Sequence, residues 1–233
     1  MIQMLDNHPW FDIVALAASD NSVGKLYGEA AHWQLETPIP EEFANMTVKP
    51  CRPGPVCEFV LSGLPSSVAL SVEKEFAEAG YPVISNASAY RMEPDVPLII
   101  PEVNSAHTAA LEMQRQRFGG KGFIVTNPNC STIGLAIPLA ALDRAFGIDA
   151  LHVVTMQALS GAGYPGVSSM DAVDNVLPDI AGGDEAKKIE TEPLKILGTW
   201  KDGQFLNRQF PISAMTHRVN VRDGHLEVCS VKL

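Results

Sequence analysis

The chain has 233 residues, of which 46% are hydrophobic and 19% charged, and its formal net charge is −10. This composition excludes a disordered protein. The lack of any basic run longer than two residues removes the cationic footprint that nucleic acid or an anionic membrane surface requires. No apolar stretch approaches the ~20 residues that cross a bilayer, and the first ten residues are too polar for a signal peptide, so a cytoplasmic chain with small molecules or other subunits as partners is expected.

Residues 12–18 (DIVALAA) read as a buried strand followed by the turn-rich Ser19-Asp20-Asn21-Ser22. Residues 58–62 (EFVLS) repeat the pattern, and Ser66 opens a helix that Gly80 closes. Residues 81–85, 97–100 and 122–126 are further short apolar strands, and their alternation with helices predicts a parallel sheet covered on both faces. Beyond Asn127-Pro128-Asn129 a helix is predicted to about Phe146, then a strand from Ala150 into the glycine-rich Ser160–Gly166 loop. A helix over 168–180, an amphipathic segment over 189–197, and two strands, 218–221 and 226–231, joined at Arg222-Asp223-Gly224-His225, complete the reading. A domain boundary falls near Asn127, giving halves 1–127 and 128–233.

Of the four cysteines, Cys51, Cys57 and Cys229 read as small buried hydrophobes, and no CxxC pair suggests zinc or any other metal. Cys130 differs, because it follows a strand and a tight turn and starts a helix, where free backbone N–H groups favour a thiolate nucleophile. A thiolate acting on a carbonyl needs a proton-transfer partner, and His225, in a turn between two apolar strands, is a candidate that could equally be an ordinary turn histidine. Arg91 and Arg218 are isolated cations beside apolar strands and read as surface charges or as forks for carboxylate or phosphate. Glu192 and Lys195 are three apart on one helix face, as in a surface ion pair, and Gln157 ends a strand where an amide often caps.

The segments FVLSGLPSSVA, VISNASAYRM, VPLIIPEVN, NPNCSTIGLAIPLAAL, QALSGAGYPGVSSMDAVDNVLP, IETEPLKILG and RVNVRDGH, in this order, resemble the aspartate-semialdehyde dehydrogenase family, in particular its archaeal and fungal branch. The resemblance runs from Leu5 to Val231. It implies an α/β fold: a Rossmann-like doubly wound parallel sheet for NADP, and an α+β substrate and dimerisation domain, in a homodimer or homotetramer. Relatives begin with a strand and glycine-rich turn and continue further at the C-terminus, so the resemblance implies a nucleotide domain without its first strand and an incomplete catalytic domain.

Carried over by position, the resemblance makes Cys130 the nucleophile, His225 the acid–base group and Gln157 the orienting amide. Arg218 is implied to grip the substrate carboxylate, Glu192 the amino group, and Arg91, Lys195 and Asn129 the phosphate. Ser62, Gly63, Ser160 and Gly161 are implied to line the nucleotide, with Ser19 and Ser22 near its ribose. Asn21 stands where relatives often carry arginine, and Asp20 beside it disfavours a 2′-phosphate, with Lys25 close by. The implied reaction is reduction of L-aspartyl 4-phosphate to the 4-semialdehyde through a cysteine thioester, a step toward lysine, methionine and threonine. Alternatives are a malonyl-CoA reductase-like enzyme, which has little use for a carboxylate at Glu192, and a non-catalytic interaction subunit.

Overall fold

The computed structural model describes residues 1–233. Its first half is built on a parallel sheet of β3 (Val60–Ser62), β4 (Pro82–Ser85) and β5 (Phe123–Thr126), in that order, with Val83 facing both Val60 and Ile124. A separate parallel pair, β1 (Ala17–Ala18) and β2 (Lys49–Pro50), precedes it, so of the strand read over 12–18 only the last two residues pair. Helices α1 (Ser66–Glu78) and α2 (Ala110–Arg117) pack Phe76, Ala77 and Phe118 against Val83, Ile124, Tyr90 and Val96. Gly122 is needed where β5 begins, because a Cβ there would lie 1.8 Å from the Ala77 carbonyl oxygen.

Residues 97–100 form only a single bridge, Leu98 to Thr126, between the prolines at 97 and 101, which lack an N–H for a longer ladder. The buried Gln114 amide also serves β5, accepting from the Ile124 N–H at 2.9 Å and donating to its carbonyl at 2.9 Å.

The second half is a four-stranded mixed sheet ordered β11 (Leu226–Lys232), β6 (Ala150–Gln157), β10 (Ile212–Val219), β7 (Val176–Pro178). β6 and β10 run parallel, and β11 is antiparallel to β6. The two strands flanking residues 222–225 therefore do not form the predicted hairpin: β6 lies between them. The helix read over 168–180 reduces to Ser169–Ala172, because Val173 is already extended and Asp174 has positive φ, after which the chain runs into β7. A two-stranded ribbon, β8 (Thr199–Lys201) and β9 (Gln204–Leu206), completes the strands.

Helices α3 (Cys130–Phe146) and α4 (Asp184–Ile196) cover one sheet face, burying Leu135, Leu139, Ile148, Leu151, Val153, Ile189 and Phe210. Leu98 and Ile100 from the first half pack on Ala136 and Ile196 of the second, so the two halves share a core cluster. The opposite sheet face leaves Met215, Leu226 and Val228 more than half exposed. No helix is long and apolar enough to cross a membrane.

Candidate active site

The site lies where the carboxyl end of the parallel sheet meets the first turn of α3. Thr126 ends β5, and Asn129 caps the helix, its Oδ1 accepting from the N–H groups of Ser131 (3.0 Å) and Thr132 (3.3 Å). Cys130 is thereby the first helical residue, with an exposed side chain. Its Sγ lies 3.3 Å from Nε2 of His225, and both line a cavity of about 510 Å³ with Gly134, Gly224 and Glu227. Burial and the nearby Glu185 carboxylate push the thiol up, outweighing the N–H groups of Ser131 and Cys130 itself and the Arg218 charge. The sequence pointed to a helix start that lowers the thiol; the net direction is the reverse, because burial, with the Glu185 carboxylate adding to it, outweighs the N–H groups of the helix start.

His225 is pushed down by burial and by Arg218, with Glu185 opposing. Its Nδ1 accepts from the Ala158 N–H at 3.1 Å. Arg218, buried on β10, donates through Nη1 to the Ala158 carbonyl (2.8 Å) and to Gln157 Oε1 (3.5 Å). The Gln157 amide in turn donates to Glu185 Oε1 at 3.4 Å. Cys130, His225, Gln157, Arg218 and Asn129 thus belong to one connected polar network.

Glu185 was not singled out in the sequence. Its Oε1 accepts from the Asn129 side-chain amide at 2.7 Å and its Oε2 from Lys188 Nζ at 3.1 Å. Burial works against its charge, yet the donors from Asn129, Lys188 and Gln157 hold the carboxyl below its ordinary value. The signal that could have found it is a repeated spacing. Glu185 and Lys188 are three apart, as are Glu192 and Lys195, and the second pair follows the first by seven residues on one helical face.

The second pair is spent inside the protein. Glu192 accepts from Arg91 Nη1 (2.9 Å) and from the Asn129 backbone N–H (2.7 Å). Lys195 directs its three donors at the carbonyls of Arg91, Glu93 and Val96 at 2.7–2.8 Å, and burial lowers it to about 8 against the pull of Glu93 and Asp95. Arg91 also donates Nη2 to the Asn86 carbonyl at 2.8 Å. The expected phosphate cations are therefore not presented to the Cys130 cavity, and the expected amino-group carboxylate, Glu192, is already paired. Of the residues expected near the nucleotide, Gly63, Ser160 and Gly161 are exposed, as are Ser19, Asp20 and Asn21, with Ser22 half-buried. Ser62 is buried and its hydroxyl donates to Glu73 at 2.6 Å. At the carboxyl end of β3 it is the backbone at Gly63 that is exposed, as is that of the 160–161 loop, whereas the Ser62 hydroxyl is spent on Glu73.

A thiol 3.3 Å from an imidazole, at the carboxyl edge of a parallel sheet and beside a mixed sheet, is the arrangement of a two-part enzyme that works through a covalent cysteine intermediate. Residues 1–111 match the family model "Semialdehyde dehydrogenase, NAD binding domain" and residues 139–233 "Semialdehyde dehydrogenase, dimerisation domain". The chain is 50% identical to the aspartate-semialdehyde dehydrogenase of Methanothermobacter thermautotrophicus over 100% of its own length and 67% of that protein, and 49% identical to that of Archaeoglobus fulgidus over 99% and 67%. The crystal structure of the Candida albicans aspartate-semialdehyde dehydrogenase with NADP superposes with a TM-score of 0.89 at 44% identity, covering 99% of this chain and 66% of that one. This chain belongs to the aspartate-semialdehyde dehydrogenase family and spans about two thirds of the length of these relatives.

Proposed function

We propose that this chain carries the chemistry of NADP-dependent reduction of L-aspartyl 4-phosphate to L-aspartate 4-semialdehyde, with residues 1–127 as the nucleotide half and 128–233 as the catalytic half. The observation that carries the reading is the Cys130–His225 contact at 3.3 Å beside a wall of opposite charges, Arg218 and Glu185, bridged by Gln157. Such a wall complements an α-amino acid, with Arg218 for the carboxylate and Glu185 for the ammonium. Lys188, half-buried and paired only with Glu185, is the cation nearest to this network for phosphate. Glu185 and Lys188 thereby take the roles that resemblance alone gives to Glu192 and Lys195.

In this reading the Cys130 thiolate attacks the acyl carbon, the C–O bond to phosphate breaks, and a thioester forms on Sγ. Bound NADPH, held along Gly63, Ser160 and Gly161 with Ser19 and Ser22 at its ribose end, supplies the hydride. Asn129 holds the helix start, and the His225 imidazole faces the sulfur and the developing oxygen. The apolar face carrying Met215, Leu226 and Val228 supports a homodimer, alone or within a homotetramer. The test is NADP reduction by the chain with aspartate semialdehyde and phosphate, abolished in Cys130→Ala. Turnover of malonyl-CoA without turnover of the semialdehyde would overturn the substrate assignment.

A further inference from the structure

Ala158, the residue that follows β6, is wholly buried, and both of its backbone groups are hydrogen-bonded to side chains of the site. Its carbonyl accepts from Arg218 Nη1 at 2.8 Å, and its N–H donates to His225 Nδ1 at 3.1 Å. One residue therefore holds both the guanidinium read as the carboxylate grip and the ring that faces the Cys130 sulfur at 3.3 Å. The other hydrogen bond of Arg218, to Gln157, also leaves from Nη1, so Nε and Nη2 are left for a ligand.

Gly161 tightens the same arrangement. A Cβ there would lie 2.8 Å from Arg218 Nη1, 2.9 Å from His225 Cε1 and 3.1 Å from His225 Nε2, so the bare backbone packs on both side chains at once. The conformation does not call for glycine, because Gly161 is not among the residues with positive φ; the contact does. Neither neighbour can give way freely, since Arg218 is buried and doubly hydrogen-bonded and the His225 ring is held from Ala158. The loop is fixed in turn: the Leu159 and Ser160 N–H groups donate to the carbonyls of Val221 (2.8 Å) and Arg222 (3.1 Å), in the segment that carries His225.

We propose that Ala158 and Gly161 form a spacer that sets the distance between the Arg218 guanidinium and the Cys130–His225 pair, and so select semialdehydes by length, four carbons from carboxylate to aldehyde rather than five. The proposal rests on the reading of Arg218 as the carboxylate grip. A grip and a nucleophile referred to one rigid turn accept a substrate whose two ends span that interval. One extra methylene leaves either the carboxylate or the carbonyl out of place, which in a rigid site costs about tenfold or more in selectivity. Ala158 and Gly161 are positioning residues, since neither brings a side-chain group to the substrate.

The experiment measures protection of Cys130 from iodoacetamide by two aldehydes that both lack an amino group, succinate semialdehyde and its longer homologue glutarate semialdehyde. It is read by mass spectrometry of the Cys130 peptide, at fixed pH and without NADP, so no cofactor contact of Gly161 enters. Each aldehyde masks the thiol reversibly as a hemithioacetal: the C–S bond forms, the C=O π bond opens, the thiol proton ends on the new hydroxyl, and nothing is oxidised.

Wild type should be half-protected by succinate semialdehyde at a concentration about tenfold or more below that of glutarate semialdehyde. In Gly161→Ala, whose added methyl group presses on both Arg218 and His225, the ratio should fall to about threefold or less. Ala158→Pro is a second variant: Ala158 lies at φ −67° and ψ 156°, which proline accepts, and loss of its N–H releases the ring alone. Its ratio should fall as well. An undiminished ratio in either folded variant, or no preference in wild type, would overturn the spacer. Arg218→Gln should weaken protection by both aldehydes together. Protection unchanged in that variant would instead overturn the carboxylate reading, and the spacer with it.

Discussion

Glu185 and Glu192 stand two turns apart on α4 and hold the same residue, Asn129, one by its side-chain amide and the other by its backbone N–H, each at 2.7 Å. The two carboxylates differ in what else they serve. Glu192 neutralises the buried Arg91, so Glu192→Gln leaves that guanidinium unpaired and is expected to cost about 3–5 kcal/mol in denaturant unfolding. Glu185→Gln should be far milder for stability. It should instead reduce the preference for aspartate semialdehyde over succinate semialdehyde, which lacks the amino group, by roughly tenfold or more, read as a ratio of kcat/KM values.

The Asn129 cap itself is open to test. Asn129→Ala removes the acceptor of two helix N–H groups and should destabilise by about 1–2 kcal/mol. Asn129→Asp keeps the capping oxygen but places a third carboxylate against Glu185 and Glu192, so it should unfold more easily than the alanine variant at neutral pH. Acidification should narrow that difference.

The Cys130 thiol is raised by burial and by Glu185, so its alkylation rate should climb at a higher pH than that of a free cysteine. Removing the carboxylate in Glu185→Gln removes a repulsion felt only by the thiolate, and the profile should move toward lower pH. A profile unchanged by that substitution would deny Glu185 its electrostatic contact with the sulfur.

Lys195 carries a pH signature of its own. Folded, it gives up its proton near 8, whereas unfolded it does so near 10.5. Between these values the unfolded chain binds more protons, so stability should rise with pH by an amount on the order of 3 kcal/mol from this group alone. The rise should be absent in Lys195→Met, compared by denaturant unfolding from pH 7 to 10.

Met215, Leu226 and Val228 offer a fourth kind of test, through assembly. If copies meet through this sheet face, Val228→Glu should shift sedimentation to the monomer while leaving the circular dichroism of the fold intact. An unchanged sedimentation coefficient would place the interface elsewhere.

The nucleophile was legible in the sequence because a strand, a tight turn and a helix start with Cys130 at its first position are all local features. The polar network around it was less so. The repeated Glu-x-x-Lys spacing fits the same helix face twice, and only packing of α4 against residues 86–96 decides which pair is buried. The parallel β3–β4–β5 sheet followed from short apolar runs, whereas the expected hairpin at 222–225 failed because β6, far earlier in the chain, inserts between its strands. The helix expected over 168–180 failed for a local reason, the extended Val173 and the left-handed Asp174 that follow its first turn.

That insertion of β6 has a consequence for how the site comes and goes. The imidazole is delivered 95 residues after the thiol, at the start of an edge strand held on one side only. Peeling of β11 from β6 would separate His225 from Cys130 while the apolar centre between α3, α4 and β6 stayed closed. Catalytic competence is then a more fragile property than foldedness, and the rate at which Cys130 is alkylated becomes a gauge of that last edge.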